Sequence, residues 1–345
     1  VLGWLGVFFQ AFFLFVLKQD YPKILILEMA VDHPGDMDYL VDLALPKIGV
    51  VANIGAVHLE YFKTVERIAK EKAKIVTRIK DGWAVLNADN ELVLGIKDQV
   101  KCPVLTYGLG SKADLRAQEI NISHNDLKEK GIAGISFKMI YQGNVMPVLL
   151  PNILGEHLVY AALAGAALGI IYGMNLMEIS QALQSFKAPK GRMNLIDGIK
   201  KTLIIDDTYN AGPDSTLAAL KVLGRIPGRR WAVLGDMLEL GEYTEEAHRK
   251  VGESMASNKI DFLITVGERA RIIASEAEKG LGEDRVFSFP DAEKAGLFLQ
   301  DRMESGDIVL VKGSQGMRME KIVKEVMAEP LKAKDLLVRQ DKPWE

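Results

Sequence analysis

Polar residues follow five of the apolar runs that the sequence predicts as β-strands. Parallel strands end at the same edge of a sheet, and ligands of open α/β sheets bind at that edge. One such residue would be ordinary, because Asp and Asn favour turns and helix caps. Five strand ends with charged or amide groups instead favour a polar cleft between two domains. The strand-end residues are Glu28, Asn53, the pair Asp206 and Asp207, Asp236, and the run Lys312, Gly313 and Ser314.

Glu28 and His58 follow neighbouring predicted strands, and together they could hold a divalent metal through oxygen and nitrogen. Each also has an ordinary structural explanation, Glu28 as a helix cap and His58 as a partly buried hydrogen-bonding group. Lys72 lies in AKEKAKI at 69–75, where the charge pattern alone predicts a solvated helix face. These residues by themselves leave a metal site open.

The second group of strand ends suits a nucleotide or another anion. Asp206 and Asp207 could bind ribose hydroxyls or Mg²⁺, or they could cap a helix. Lys312, Gly313 and Ser314 precede a predicted helix, whose N-terminal amides suit a carboxylate or phosphate. An ordinary strand-to-helix turn explains them equally well.

Several catalytic motifs do not occur in the 345 residues. The sequence contains no G-x-x-x-x-G-K-[ST], G-x-S-x-G, H-E-x-x-H or C-x-x-C motif. It also lacks G-x-G-x-x-G, which disfavours a nicotinamide enzyme.

Composition indicates a globular protein of two or three domains. Hydrophobic residues make up 48% and charged residues 26%, which excludes disordered, collagen-like and coiled-coil classes. The 43 Lys and Arg against 46 Asp and Glu give a net charge of −3, which argues against a nucleic-acid binder. The single cysteine, Cys102, excludes an internal disulfide framework and a Cys-rich zinc site, and it fits a reducing compartment.

Residues 1–17, VLGWLGVFFQAFFLFVL, are almost wholly apolar. A membrane-spanning helix needs about 20 apolar residues, and a signal peptide begins with basic residues that this run lacks. We therefore predict a buried helix of a larger domain, with a membrane anchor or a signal peptide as alternatives.

From residue 23 onward, strands alternate with helices, which predicts an α/β fold with a parallel sheet. The first domain, 1–192, has predicted strands at 23–28, 47–54, 83–87 and 104–108 and helices at 36–45, 65–79, 155–173 and 177–186. A small antiparallel excursion is expected at about 113–150, with a hairpin turn at Gln142, Gly143 and Asn144. KAPKGR at 187–192 is the predicted joint.

A second, doubly wound domain is predicted at 193–330. Its five strands are expected at 202–206, 231–235, 262–267, 286–289 and 308–313, with helices between them. Residues 331–345 form a charged tail that we expect to be loosely ordered.

Several segments, taken in chain order, resemble the motifs of the Mur ligase family. LEMAVDHPGDMDYL at 27–40 is similar to the family's E-x-G-x-N/D-x-P-G-E/D segment, and NIGAVHLEYF at 53–62 is similar to N-x-x-x-x-H-L-E-x-F. AKEKAKI matches an A-K-x-K helix. LNADN at 86–90, Gly191 and Arg192, DDTYNAGPDS at 206–215, GDMLELG at 235–241 and VKGSQGMRME at 311–320 follow in the family's order. The resemblance covers roughly residues 20–328. It implies a central parallel-sheet ATPase-type domain, incomplete at its N-terminus, followed by a Rossmann-like C-terminal domain.

The resemblance also implies a reaction in peptidoglycan precursor synthesis. DDTYNA and GDMLELG point to the branch that joins D-alanyl-D-alanine to UDP-MurNAc-tripeptide. In that branch ATP phosphorylates the tripeptide's terminal carboxylate, and the dipeptide amine then attacks the acyl phosphate and releases phosphate. Mg²⁺ and cationic side chains would neutralise the developing charge. The expected protein is a cytoplasmic monomer that binds neither nucleic acid nor a membrane.

Site residues carry over from the family position by position. Glu28, His58 and Lys72 would be magnesium ligands, with Lys72 carbamylated, since it lies at the family's spacing after His58. Lys72, His58 and Arg192 would serve catalysis, with Arg192 on the γ-phosphate. ATP would be contacted by Asp207, Tyr209, Asn210, His157 and Arg192, and the other substrates by Asn53, Lys312, Gly313 and Ser314.

The sequence departs from the family at several points. Ala161, Gly212 and Gln315 stand where Asn, Asn and Arg are common. The family's UDP-binding domain and its phosphate-binding G-x-x-G-K-[ST] loop, which precede the segment like 27–40, have no counterpart in these residues. We therefore expect a portion of a three-domain ligase with little activity by itself.

Two other functions are compatible with the sequence. One is a non-catalytic binding protein, soluble or tethered through residues 1–17, that retains the ligase fold. The other is a ligase of the same superfamily with a different amino-acid substrate.

Overall fold

The computed structural model of the chain describes residues 2–16, 22–55, 59–124 and 132–341. Two six-stranded sheets follow one another along the chain, so the mixed α/β class predicted from the sequence is confirmed. The joint at 187–192 connects them.

The first sheet has its six strands in the order of the sequence. The strands β1 to β4 pair in parallel, and β4 to β6 pair antiparallel. The predicted excursion therefore continues this sheet, because Leu115 and Arg116 pair in parallel with Tyr107 and Gly108. The strands are β1 (Ile48–Val51), β2 (Trp83–Asn87), β3 (Val104–Gly108), β4 (Leu115–His124), β5 (Ile132–Tyr141) and β6 (Asn144–Pro151).

Helices cover both faces of this sheet, because successive residues of a buried strand point to opposite sides. Ala84 and Leu86 of β2 pack on the face that α2 and α4 cover, whereas Val85 packs on the α6 and α7 face. Thr64 caps α4, and its side chain accepts a hydrogen bond from the amide of Arg67. The helices are α1 (Leu2–Val16), α2 (Asp36–Leu43), α3 (Leu59–Phe62), α4 (Val65–Thr77), α5 (Glu91–Leu94), α6 (Glu156–Ile171) and α7 (Leu176–Leu183).

The predicted strand at 23–28 does not form. Residues 24–30 have no strand assignment, and the apolar side chains of Ile24, Leu25 and Ile26 are exposed. An apolar run becomes a strand only when a neighbouring strand satisfies its backbone groups. Among the described strands, β1 pairs only with β2, so this run has no such neighbour.

The apolar front segment forms a helix, α1, as predicted, but the helix is not buried. Trp4 and Phe8 are 69% and 68% exposed, and most of the other large side chains of α1 also face solvent. Composition predicts where a helix forms, whereas burial requires a facing element. None of the helices in the described part of the chain is long and apolar enough to cross a membrane.

The second sheet contains the five predicted strands and one more. Its spatial order is β11-β10-β9-β12-β8-β7, and all pairs are parallel except that of β7 with β8. The sequence missed β7, a four-residue strand with polar residues at both ends. The strands are β7 (Asn194–Asp197), β8 (Leu203–Asp207), β9 (Arg230–Gly235), β10 (Phe262–Val266), β11 (Val286–Phe289) and β12 (Ile308–Lys312).

Helices pack on both faces of the second sheet, which confirms the doubly wound arrangement. In β9, Trp231 and Val233 face one apolar cluster, and Ala232 and Leu234 face the other. The helices are α8 (Pro213–Leu223), α9 (Thr244–Ser257), α10 (Ala270–Leu281), α11 (Ala292–Arg302), α12 (Glu320–Val326) and α13 (Ala333–Leu336).

The expectation of a loosely ordered tail is wrong for residues 331–341. Ala333 and Leu337 are buried in the apolar cluster that also contains Ile322 and Val326 of α12. The amide of Leu337 donates to the carbonyl of Ala333. Two apolar residues, Ala333 and Leu337, lie one helical turn apart among the charged residues of this sequence, and their side chains anchor the segment.

Candidate functional site

A buried ion pair lies at the carboxyl edge of the second sheet. The parallel register of β8 and β12 places Asp207 beside Lys312, and Lys312 Nζ lies 2.6 Å from Asp207 Oδ2. The Lys312 ammonium also donates to the carbonyl of Asn210 at 2.9 Å. The other carboxylate oxygen of Asp207 accepts from the amide of Met193. The pair thus joins two strand ends, the following loop and the residue after the joint.

Arg192 and Tyr209 stack at the joint. The guanidinium carbon of Arg192 lies 4.2 Å from the centre of the Tyr209 ring, which is a cation–π contact. The amide of Tyr209 donates to the carbonyl of Gly191. Gly191 has a φ of +68°, and a Cβ atom there would lie 2.8 Å from the Tyr209 nitrogen. Only glycine allows this approach without strain, so the Gly-Arg pair fixes the stack.

Two further predicted nucleotide residues come to the same place. The side-chain oxygen of Asn210 accepts from the amide of Ala211, and this shapes the loop after β8. The His157 ring, on the first turn of α6, lies against Gly155. The residue as a whole is exposed, yet desolvation of the ring lowers the pKa of His157, and the charges of Asp207, Lys312 and Arg192 also act on it. The structure therefore brings together the second-domain residues and His157.

Asp206 lies directly before the ion pair and is fully buried. Its Oδ1 accepts from the hydroxyl and the amide of Thr208, and its Oδ2 has no hydrogen-bond partner among the described residues. Desolvation raises the pKa of Asp206 to about 7, against the opposing effect of the Thr208 hydrogen bonds. This carboxyl group therefore titrates near neutral pH.

Ser314 links three loops at the same edge. Its hydroxyl accepts from the amide of Leu238 and donates to the carbonyl of Ala211, and its own amide donates to the carbonyl of Asp236. Gly313 packs closely against Gly235 and Met319. Lys312 and Ser314 are only 2% and 3% exposed, so their side chains hold the loops together.

In the first domain, the predicted metal ligand Lys72 contacts the predicted substrate residue Asn53. Lys72 Nζ donates to the carbonyl of Asn53 at 3.4 Å, and desolvation lowers the pKa of Lys72. The Asn53 side chain accepts from Asn90 at 2.6 Å. Glu28 is exposed, and His58 lies outside the described residues. No group of three or more His, Cys, Asp or Glu residues suited to a metal occurs in the part of the chain that the structure describes.

A second buried network is centred on Glu320, and the sequence pattern does not predict it. Glu320 is fully buried at the start of α12, where it receives 2.6 Å and 2.7 Å hydrogen bonds from Arg318 and Arg339. Burial acts to raise its pKa, but the two guanidinium groups hold that pKa below its usual value. Arg339 also reaches the loop after β8. An isolated arginine in a charged segment gives no signal of this in sequence.

Two clefts lie elsewhere, and one of them includes residues of the joint. One of about 630 Å³ is lined by Ile132, Asp197, Gly198 and Lys200, among others. The other, about 600 Å³, includes Phe186, Lys187, Lys190 and Asp335. Neither is lined by the ion pair or the stacked pair.

Comparison with known proteins is consistent with this architecture. A family model described as the Mur ligase middle domain matches residues 10–169. A second, described as the glutamate ligase domain of Mur ligases, matches residues 191–315. The chain belongs to the Mur ligase family. The predicted resemblance is therefore confirmed.

Two relatives of this chain have the same name. The UDP-N-acetylmuramoyl-tripeptide--D-alanyl-D-alanine ligase of Bacillus subtilis is 32% identical over 311 residues, which cover 90% of this chain and 65% of the relative. The Escherichia coli enzyme of the same name is 33% identical over 302 residues, which cover 87% and 64%. The chain thus spans slightly less than two thirds of these relatives.

Solved structures agree with the sequence comparison. A MurF ligase from Thermotoga maritima in complex with ADP has a TM-score of 0.74 and 28% identity, and the match covers 91% of this chain and 70% of that one. A MurF structure from Acinetobacter baumannii has a TM-score of 0.73 and 28% identity, with coverage of 85% and 62%.

Proposed function

We propose that this chain is the part of an ATP-dependent amide ligase that joins D-alanyl-D-alanine to UDP-MurNAc-tripeptide. The observation that carries the proposal is the 32% identity to a ligase of that name across 90% of the chain. ATP transfers its terminal phosphoryl group to the tripeptide carboxylate and leaves as ADP. The dipeptide amine then attacks the acyl carbon, and phosphate departs as the amide forms.

The nucleotide is proposed to bind at the joint between the two sheets. Tyr209 and Arg192 supply an aromatic and a cationic face, and both belong to loops fixed through Gly191. Arg192 suits a phosphate, since its guanidinium can bond two phosphate oxygens at once. Asp207, Asn210 and His157 complete the contacts. The complex of the Thermotoga maritima relative with ADP supports a nucleotide in this fold.

Mg²⁺ is proposed to be held by Glu28, His58 and Lys72, with Lys72 as its carbamate. The surroundings of Lys72 fit this chemistry, because desolvation lowers its pKa and so favours the neutral amine that reacts with carbon dioxide. That reaction forms an N–C bond and releases one proton. When bound, the metal would neutralise charge between the phosphate and carboxylate groups.

A direct test of the Lys72 assignment does not require activity. Carbon-13 NMR in labelled bicarbonate is expected to show a carbamate signal that is lost in Lys72→Met. Lys70→Met is the matched control, because Lys70 is exposed on the same helix. A signal that persists in Lys72→Met, or none in the parent protein, would contradict the assignment.

Asn53, Lys312, Gly313 and Ser314 are proposed to serve the substrates in two ways. Asn53 is exposed beside Lys72 and is placed to contact the substrate carboxylate. Lys312, Gly313 and Ser314 are buried, so we propose that they shape the loops around the incoming dipeptide. We propose that the first domain spans residues 1–192, the second domain spans 193–330, and a terminal segment spans 331–345. We also propose that the protein is a cytoplasmic monomer that binds neither nucleic acid nor a membrane.

Residues 1–345 by themselves are proposed to bind the phosphates of ATP weakly, because their sequence contains no G-x-x-x-x-G-K-[ST] loop. The function is therefore best tested on the complete product of the reading frame that encodes them. We expect phosphate release that requires ATP, Mg²⁺, UDP-MurNAc-tripeptide and D-alanyl-D-alanine together. Release with another amino-acid substrate would indicate a different ligase, and no release would favour the non-catalytic binding protein.

A further inference from the structure

The C-terminal segment 330–341 lies across the joint between the two sheets. The side chain of Lys190, in the joint, donates to the carbonyl of Lys334 at 2.6 Å. Ala333 and Leu337 anchor the segment in the apolar cluster beneath α12. Asp335 lines the cleft that the joint residues Lys187 and Lys190 also line. The segment is therefore held at both the joint and the second domain.

Arg339 extends from this segment into the loop after β8. Its Nη2 donates to the carbonyl of Thr208 at 2.6 Å and to Glu320 Oε2 at 2.7 Å, and its Nη1 donates to the carbonyl of Tyr209 at 3.3 Å. The side chain is 5% exposed. Its Nε is buried without a hydrogen-bond partner among the described residues. Burying a guanidinium group is costly unless a negative charge pairs with it. The buried carboxylate of Glu320 supplies that charge and thereby fixes the position of the Arg339 side chain.

The Thr208–Tyr209 backbone is consequently held from two sides. On one side, the Tyr209 amide is bonded to Gly191, and its ring lies under Arg192. On the other side, Arg339 holds the carbonyls of Thr208 and Tyr209. The backbone of Tyr209 is thus fixed at its amide and at its carbonyl, and these contacts set the position from which its ring reaches Arg192.

We propose that Arg339 is a positioning residue that sets the Tyr209 ring for the nucleotide, and that segment 330–341 acts as a strap between joint and loop. This inference rests on the nucleotide role proposed above for Tyr209. Arg339 lies beyond residues 191–315, which the glutamate ligase domain model matches. A fork of two donors on consecutive carbonyls is a geometry that lysine cannot reproduce.

The test compares Arg339→Lys, which keeps the charge and loses the fork, with Leu299→Ala. Leu299 is fully buried in the same apolar cluster as the anchors of the strap but makes none of the hydrogen bonds that hold the loop, so its truncation lowers global stability and keeps the Arg339 contacts. In Arg339→Lys we expect amide hydrogen exchange of a peptide covering 206–211 to rise about tenfold relative to the rest of the domain. In Leu299→Ala, amide hydrogen exchange should rise by a similar factor in all protected peptides of the domain, including the peptide covering 206–211.

Nucleotide affinity gives a second, independent reading on the complete reading-frame product. The Kd for ADP should rise about fivefold or more in Arg339→Lys and stay near the parent value in Leu299→Ala, with both measured where the proteins are folded. Unchanged local exchange in Arg339→Lys would overturn the positioning role, and so would faster exchange with an unchanged Kd. If the parent protein does not bind ADP, the nucleotide role of Tyr209 fails, and the proposal that Arg339 serves it is overturned even if the exchange pattern shows that Arg339 orders the loop.

Discussion

Lys312 Nζ lies 2.6 Å from Asp207 Oδ2, and both side chains are almost completely removed from solvent. Lysine is rarely buried unless a charge faces it, and here one carboxylate oxygen and one backbone carbonyl do so. Lys312 thereby neutralises Asp207 and holds the Asn210 loop at the edge of the sheet. The buried ion pair therefore supports the loop after β8, which carries Tyr209 and Asn210.

Loss of this ion pair should be costly. Lys312→Met leaves a buried carboxylate without its counter-charge and should lower the free energy of unfolding by about 3–5 kcal/mol. Lys321→Met is the control, since Lys321 pairs with Glu293 at the surface and should change stability by about 0–1 kcal/mol. Urea unfolding of both variants measures the difference. Equal effects would show that the Lys312 pair contributes no more than a surface contact.

Gly191 is predicted to be intolerant of a side chain. Gly191→Ala should cost about 1–3 kcal/mol, because the left-handed φ of +68° is strained and the Cβ would meet the Tyr209 backbone. Gly165→Ala, inside α6 with nothing within 4 Å, should instead stabilise the protein by about 0.5–1 kcal/mol. Thermal unfolding of the two variants checks this. The same sign for both would contradict the close approach at Gly191.

Asp206 should make stability fall as the pH rises from 5 to 8. Desolvation raises its folded-state pKa to about 7 from an unfolded value of 3.8, so the folded state keeps a proton that the unfolded state has lost. Stability is therefore greatest near and below the unfolded pKa and declines until the pH passes the folded pKa, by about 3 kcal/mol between pH 5 and 8.

Asp206→Asn removes this titration, and its stability should vary less across the same range. Asp291→Asn serves as the control, since the Asp291 side chain is 46% exposed before α11 and its pKa is lowered, outside the pH window tested. Urea unfolding midpoints of the parent protein and both variants at pH 5, 6.5 and 8 measure this dependence. A parent protein that is equally stable at pH 5 and pH 8, or an Asp206→Asn variant with the parent's slope, would contradict the neutral buried carboxyl.

The alternation of strands and helices and the strand-end residues could be predicted from sequence. Apolar runs bounded by turns identified β1 to β3 and five strands of the second sheet, and parallel pairing then places Asp207 beside Lys312. The pattern did not predict which of those side chains would be buried. Burial of Lys312 depends on the Asn210 loop folding over it, which strand periodicity does not encode.

Long-range partners account for most of what sequence missed. Arg339 meets Thr208 across 131 residues of chain, and no local pattern connects them. The run at 23–28 has the composition of a strand but no neighbour among the described strands, so its apolar side chains are exposed. For the same reason α1 was predicted as a helix correctly and as a buried one wrongly.

Photo-crosslinking with an azido-substituted ADP would show whether the joint between the sheets binds an adenine nucleotide. Covalent capture detects even the weak binding expected of residues 1–345 alone. Mass spectrometry should locate the crosslinks on residues 207–210 or near His157 and Arg192, excess ADP should suppress them, and Tyr209→Ala should greatly reduce them. Crosslinks spread over other surfaces, or unchanged by Tyr209→Ala and by competing ADP, would contradict a nucleotide site at this joint.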